Sequence, residues 1–80
     1  MNPTTLAKIK DIIFNNTGAM RVEEISEATT IGGDLGMDSL DIVEFAMSLE
    51  SEFGISLREP NYWGWETVAD VLKTVEEKLK

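Results

Sequence analysis

Few side chains in this sequence could act as nucleophiles, bases or metal ligands. The chain has no cysteine and no histidine, which removes thiolate chemistry, the commonest general base and the commonest zinc ligand. Ser39 follows Asp38, but no histidine exists to activate its hydroxyl and the Gly-x-Ser-x-Gly pattern of serine hydrolases is absent. Asp34, Asp38 and Asp41 do not follow the spacing of a calcium-binding loop. We therefore expect no catalytic residue and no metal site.

The acidic side chains are unevenly distributed along the chain. Fifteen Asp and Glu residues stand against seven Lys and Arg residues, which gives a net charge of −8 at pH 7. Residues 22–57 hold nine of the acids and no Lys or Arg. A surface of one sign repels nucleic acid phosphates and anionic lipids, and it accelerates encounter with basic proteins. We expect basic protein partners, with no nucleic acid or membrane partner.

The length and hydropathy of the chain bound its organisation. Eighty residues allow one modest core, so we treat residues 1–80 as a single domain. No apolar run approaches the ~20 residues of a membrane span. Residues 1–5 lack the basic-then-apolar pattern of a signal peptide. These features predict a cytoplasmic protein, which we expect to be a monomer.

Helix signals surround Ser39 on both sides. Asn2 and Pro3 predict the start of a first helix at about residues 3–15. Residues 18–37 predict a long ordered loop with a short helical turn at 23–25, because single apolar residues recur along it. Asp38 is a strong N-cap for a second helix, Ser39–Phe53, which Gly54 ends.

The remaining segments predict a closing helix preceded by a less regular stretch. Pro60–Trp65 is poorly periodic, and it predicts either one or two helical turns or an irregular aromatic loop. Thr67 and Asp70 resemble a capping box, and apolar residues follow at helical intervals as far as Leu79. The sequence therefore predicts an all-α fold, a small four-helix bundle with a long first loop and a short or irregular third helix.

The second helix carries two apolar strips. One is an ordinary core stripe, made of Ile42, Phe45, Ala46, Leu49 and Phe53. The other lies beside Ser39 and is edged by acids. Either this helix packs on two neighbours or the second strip binds a partner, and the acid-rich stretch favours the partner. The residues of this predicted docking face are Leu40, Asp41, Val43, Glu44, Met47 and Glu50.

The residues around Ser39 resemble the attachment motif of acyl carrier proteins. The motif reads Asp34-Leu35-Gly36-Met37-Asp38-Ser39-Leu40-Asp41, followed by Val43, Glu44 and Met47. The resemblance is densest over residues 31–57 and includes Thr67-Val68. It implies that a phosphopantetheinyl transferase joins 4'-phosphopantetheine covalently to Ser39, beside Asp38. The arm would carry acyl groups as thioesters for fatty acid, lipid or polyketide-like biosynthesis, and basic-faced acyl-processing enzymes would perform the catalysis.

The resemblance also implies a shelter for the acyl chain. Its expected lining is Phe45, Ala46, Leu49, Leu57 and Val68. The chain departs from the family where an acidic third helix is usual, because Arg58, Tyr62, Trp63, Gly64 and Trp65 stand there. The aromatic residues either enlarge a small core or reshape the acyl pocket. This departure makes a carrier for a specialised pathway a serious competitor to a primary fatty acid carrier.

Two other functions stay open at the level of sequence. The first is an acidic helical interaction module, in which the docking face binds a basic protein and Ser39 only begins a helix. It predicts no covalent modification. The second is a carrier of peptidyl or aminoacyl groups, but Asp38 before the serine resembles acyl carriers more than the peptidyl type.

Overall fold

The computed structural model describes residues 3–18, 20–58 and 62–79. Within them lie three α-helices, which we number α1 (Pro3–Thr17), α2 (Ser39–Phe53) and α3 (Val68–Leu79), and a 3-10 helix at Val22–Glu24. The strand-type pairing in these residues is one isolated antiparallel bridge between Thr30 and Thr67. The all-α prediction is confirmed. The fourth helix is not, because Pro60 and Asn61 lie outside the described residues, and after them only Tyr62 is helical before a turn at 63–64.

Helix α1 ends two residues later than the sequence predicts. The Nδ2 group of Asn16 donates to the Ile12 carbonyl at 2.8 Å, and Thr17 Oγ1 donates to the Ile13 carbonyl at 3.1 Å. These side chains therefore add bonds within the last turn instead of ending it. The helix ends where Gly18 adopts a positive φ of 61°, which glycine tolerates best. The predicted cap, Asn2, lies outside the described residues.

Helix α2 has the predicted bounds. Asp38 caps its first turn, and Gly54 follows its last residue with a φ of 64°. The Gly54 N–H donates to the Glu50 carbonyl at 2.9 Å, as expected for a left-handed C-terminal cap. The core side of the helix is buried at Phe45, Ala46 and Leu49.

The core is one apolar cluster to which all three α-helices and the long loop contribute. Its most completely buried side chains are Ile9, Ile13, Ile25, Ile31, Phe45, Leu49, Val68, Val71, Leu72 and Val75. The loop residues Ile25, Ile31 and Leu35 are at most 3% exposed. The prediction of an ordered loop fixed to the core at several points is therefore confirmed.

The long loop is also bonded to the beginning of α3. Three backbone hydrogen bonds join them: Ile31 N–H to Glu66 O at 2.8 Å, Val68 N–H to Thr29 O at 3.0 Å, and Ala69 N–H to Glu27 O at 2.9 Å. Two of these donors lie in the first turn of α3, whose N–H groups have no acceptors within the helix. Among the described residues, no helix is long and apolar enough to cross a membrane.

Candidate functional site

The turn before Ser39 is built from two buried side chains with a glycine between them. Leu35 is 3% exposed and Met37 is 6% exposed. Gly36 lies between these two anchors with a φ of 64°, a conformation that other residues adopt at a cost. The Met37 N–H donates to the Ile31 carbonyl at 3.1 Å. Leu35 and Met37 therefore anchor the segment that leads into α2 on the core.

Asp34 closes the turn that precedes Leu35. Its Oδ2 accepts from the Thr30 N–H at 2.9 Å, while Thr30 Oγ1 accepts from the Asp34 N–H at 2.8 Å. Gly33 has no room for a side chain, since a Cβ there would lie 2.8 Å from Thr30 Oγ1. Sequence reasoning missed this role of Asp34, although Thr30 and Asp34 flanking a Gly-Gly pair are typical turn residues.

Asp38 and Asp41 form a reciprocal cap at the N-terminus of α2. The Asp41 N–H donates to Asp38 Oδ1 at 2.9 Å, and the Asp38 N–H donates to Asp41 Oδ2 at 3.2 Å. The sequence predicted the cap by Asp38 but not the return bond to Asp41. Asp41 is half-buried, so its place in the docking face stays a prediction alongside this structural role.

Ser39 is the first residue of α2 and its side chain is exposed. The N–H groups of the first helical turn point away from the helix body without intrahelical acceptors, and the helix dipole makes this end partly positive. An exposed primary hydroxyl at such an end can carry a phosphodiester. The free N–H groups of the first turn would favour its negative charge, and the nearby carboxylates of Asp38 and Asp41 would oppose it. A serine hydroxyl needs a base to become a nucleophile, and the chain has no histidine. The site therefore fits a phosphate ester on Ser39, such as the 4'-phosphopantetheine that the resemblance to acyl carrier proteins implies.

The docking face is only partly covered by other residues. Leu40 is 65% exposed and Met47 is 61% exposed, so these two side chains do not pack into a neighbouring helix. Glu44 is exposed and Val43 is half-buried. Glu50 is also half-buried, and its Oε2 accepts from the Leu57 N–H at 2.8 Å, across seven residues. Glu50 therefore holds the chain that follows α2, a role that the sequence did not reveal.

The five residues predicted to line an acyl pocket lie in the buried core. All of them are at most 8% exposed and belong to the core cluster. Two open grooves, of about 390 and about 360 Å³, lie along α1 and α2. They share Asn16, Ser48 and Ser51, and they include none of the five predicted residues. The acyl pocket stays a prediction.

Of the three aromatic residues in segment 62–65, Trp65 lies in the core, Tyr62 is half-buried against it and Trp63 lies on the surface. Trp65 is 7% exposed and meets Phe45 edge to face, with ring centroids 5.8 Å apart and ring planes at 67°. Its Nε1–H donates to Thr74 Oγ1 at 3.0 Å. Trp63 is 45% exposed and contacts Tyr62 at 5.0 Å between centroids. Trp65 therefore enlarges the core, as one of the two interpretations of this segment expects.

Asp70 caps the first turn of α3. Its Oδ2 accepts from the Glu66 N–H at 2.9 Å and from the Thr67 N–H at 3.1 Å. These bonds lower the pKa of Asp70 below the ordinary value of 3.8, with a smaller contribution from the positive charge of Lys73. The predicted pairing of Thr67 with Asp70 is confirmed, and the helix begins at Val68.

The side chains of the described residues do not form a metal-binding group. Residues 3–18, 20–58 and 62–79 contain no group of three or more Asp or Glu side chains placed to hold a metal ion. In the structure Asp34, Asp38 and Asp41 bond instead to backbone N–H groups.

Comparisons with known proteins identify the family. Residues 7–75 match the family model described as "Phosphopantetheine attachment site". The acyl carrier protein of Thermotoga maritima is 38% identical over 73 residues, which cover 91% of this chain and 89% of that protein.

Two solved structures of acyl carrier proteins have the same fold. One is the acyl carrier protein from Enterococcus faecalis, with a TM-score of 0.78, 27% identity and 94% of each chain covered. The other is the apo doublet acyl carrier protein from prodigiosin biosynthesis, with a TM-score of 0.76 and 25% identity, where the match covers 94% of this chain and 36% of that one. The chain therefore belongs to the acyl carrier protein family, whose members carry covalently attached 4'-phosphopantetheine.

Proposed function

We propose that Ser39 is the attachment residue and that the chain carries acyl groups as thioesters on the arm that Ser39 holds. The observation that supports this most is the position of Ser39. It is exposed, it is the first residue of α2, and it follows a turn fixed by buried Leu35 and Met37. The thiol at the end of the arm supplies the thioester chemistry.

The modification of Ser39 is a phosphoryl transfer from coenzyme A. A bond forms between Ser39 Oγ and the phosphorus that bears the pantetheine half. The pyrophosphate bond of coenzyme A breaks, and the nucleotide half leaves with the bridging oxygen. The hydroxyl proton passes to a base of the transferase. The product phosphodiester lies at the partly positive end of α2, beside the cap that Asp38 and Asp41 form.

The docking face serves the partner enzymes. Exposed Leu40 and Met47 supply apolar contact, and exposed Glu44 supplies charge. Residues 22–57 contain no Lys or Arg, so a basic partner is attracted without local repulsion. Charge of this kind raises the rate of encounter more than the lifetime of the complex. Such short-lived binding suits a carrier that must visit a transferase and several acyl-processing enzymes in turn.

The pathway that we propose is fatty acid, lipid or polyketide-like biosynthesis in the cytoplasm, with the carrier acting as a monomer and as a substrate of its partners. We also propose that the segment around Tyr62 forms the short third helix of a four-helix bundle. Family membership supports both proposals. The helical state of Tyr62 supports the second.

The test is intact mass after incubation with coenzyme A, magnesium and a broad-specificity phosphopantetheinyl transferase. Ser39→Ala is run beside Ser51→Ala, because Ser51 is also an exposed serine of α2. We expect the parent and Ser51→Ala to gain the mass of one phosphopantetheine and Ser39→Ala to gain nothing.

Two results would count against the assignment. A gain by Ser39→Ala would move the attachment to another hydroxyl. The absence of any gain by the parent with several transferases would favour the competing hypothesis of an acidic interaction module without covalent modification. A circular dichroism spectrum of each variant shows that a missing gain does not come from unfolding.

A further inference from the structure

The interior that faces the middle of α2 is closed by an aromatic pair. Phe45 is completely buried and Trp65 is 7% exposed. Their rings meet edge to face at 5.8 Å between centroids, a favourable geometry for aromatic side chains. Since Trp65 retains some exposure and Phe45 retains none, Trp65 is the outer member of the pair. It separates the centre of α2 from solvent.

Trp65 is held in this position by a hydrogen bond as well as by packing. Its Nε1–H donates to Thr74 Oγ1 at 3.0 Å, and the Thr74 hydroxyl donates in turn to the Asp70 carbonyl at 3.1 Å. Tyr62 lies against Trp65 at 6.2 Å between centroids. Rotation of the indole ring towards solvent would break the bond to Thr74 and expose the ring. The hydrogen bond and the packing therefore oppose rotation of Trp65 out of the core.

A linear acyl chain gains from leaving water, by about fourfold in the equilibrium constant for each methylene that is buried. Such a chain needs apolar space. The two grooves along α1 and α2 are lined by serine, asparagine and glutamate together with one apolar residue each, Ile12 or Met47. The apolar interior near Phe45 is the better environment, but Trp65 fills its outer side.

We propose that Trp65 determines the cargo of this carrier by keeping linear acyl chains out of the core, which restricts the carrier to short acyl groups. The proposal rests on the proposed carrier function. A short acyl group has few methylenes and loses little by staying outside the core. Removal of the indole ring would open apolar space on the order of the ~150 Å³ that admits benzene to another protein core, and a longer chain could then enter.

The experiment compares two cargo lengths on three proteins. The parent, Trp65→Ala and Trp63→Ala are each loaded with butyryl- or octanoyl-phosphopantetheine from the corresponding acyl-coenzyme A, and intact mass confirms loading. Trp63→Ala is the matched control, because it removes an indole two positions away that is 45% exposed. The readout is the rate at which hydroxylamine cleaves the thioester, since a chain that enters the core shields its carbonyl.

We expect butyryl and octanoyl thioesters to be cleaved at equal rates on the parent and on Trp63→Ala. On Trp65→Ala, we expect octanoyl cleavage to be at least about tenfold slower than butyryl cleavage. Burial of two methylenes already raises the equilibrium constant for the sheltered state by about fifteenfold. Trp65→Leu replaces Trp65→Ala if the smaller residue lowers the helical circular dichroism signal.

Two results would overturn the proposal. Slow octanoyl cleavage on the parent would show that Trp65 does not exclude the chain, whatever the variants do. Equal rates for both cargoes on a folded Trp65 variant would show that the indole is not what excludes it. If the parent gains no mass at the loading step, the result counts against the proposed carrier function and not against the role of Trp65.

Discussion

The hydrogen bond between Trp65 and Thr74 offers a sharp test of how the core is held together. Thr74→Val removes the hydroxyl that accepts from the indole Nε1–H at 3.0 Å and keeps a β-branched side chain of similar shape. The N–H would then be left without its partner on a side chain that is only 7% exposed. An unsatisfied buried donor costs about 1–3 kcal/mol. The Asp70 carbonyl keeps its helical donor, so its loss of the hydroxyl adds little.

We expect Thr74→Val to lower the free energy of unfolding by about 2 kcal/mol. For a domain of this length, this corresponds to a fall in Tm of roughly 8–16 °C. Chemical denaturation followed by circular dichroism measures the free energy, and a thermal scan measures Tm. Thr74→Ser is the matched control, because it retains the hydroxyl and should stay close to the parent.

A double-mutant cycle assigns the loss to the indole. In a Trp65→Phe background there is no N–H to leave unpaired, so Thr74→Val should cost less than about 0.5 kcal/mol there. An equal loss in both backgrounds would refute the reasoning, since the hydroxyl would then stabilise the protein through some other contact. A parent-like Thr74→Val variant would refute it as well, because the indole N–H would then be satisfied without Thr74.

Two further predictions concern the ends of helices. Asp70→Ala should lower the free energy of unfolding by about 1 kcal/mol at pH 7. The pKa of Asp70 is lowered in the folded state, so its contribution to the free energy of unfolding is present above the ordinary value of 3.8 and is lost as the pH falls through the folded pKa. Urea titrations at several pH values measure this. A difference in free energy of unfolding between variant and parent that persists below the folded pKa would contradict the prediction. Gly54→Ala should lower the free energy of unfolding by about 1–2 kcal/mol in the same assay, since φ is 64° at Gly54. Gly64→Ala is the control, because this described glycine has no positive φ, and it should lower the free energy clearly less. Equal losses for the two variants would argue against backbone strain as the cause.

Local signals allowed α2 to be predicted residue by residue. Asp38 before the helix and Gly54 after it act on neighbouring backbone groups, so their effects can be read from a short stretch of sequence. The end of α1 was wrong by two residues for a related reason. Asn16 and Thr17 occur in both turns and helices, and here their side chains bond to carbonyls of the same helix.

Roles that depend on distant contacts could not be predicted. The sequence indicates that Glu50 is a surface acid. Only the fold brings the Leu57 N–H to its carboxylate. Trp65 lies in a segment with no helical periodicity, so nothing local distinguished it from exposed Trp63. The position of Ser39 at the start of a helix was predictable. Its surroundings depend on the loop, whose long-range bonds no local pattern encodes.

The three backbone bonds between the long loop and α3 have a consequence for cooperativity. The first turn of α3 takes its acceptors from Thr29 and Glu27, about forty positions earlier in the chain. Neither partner is complete alone, because α3 would begin with unpaired donors and the loop would have carbonyls without donors. We therefore expect the loop and the closing helix to unfold together. The loop that leads to Ser39 should then be as stable against local unfolding as α3.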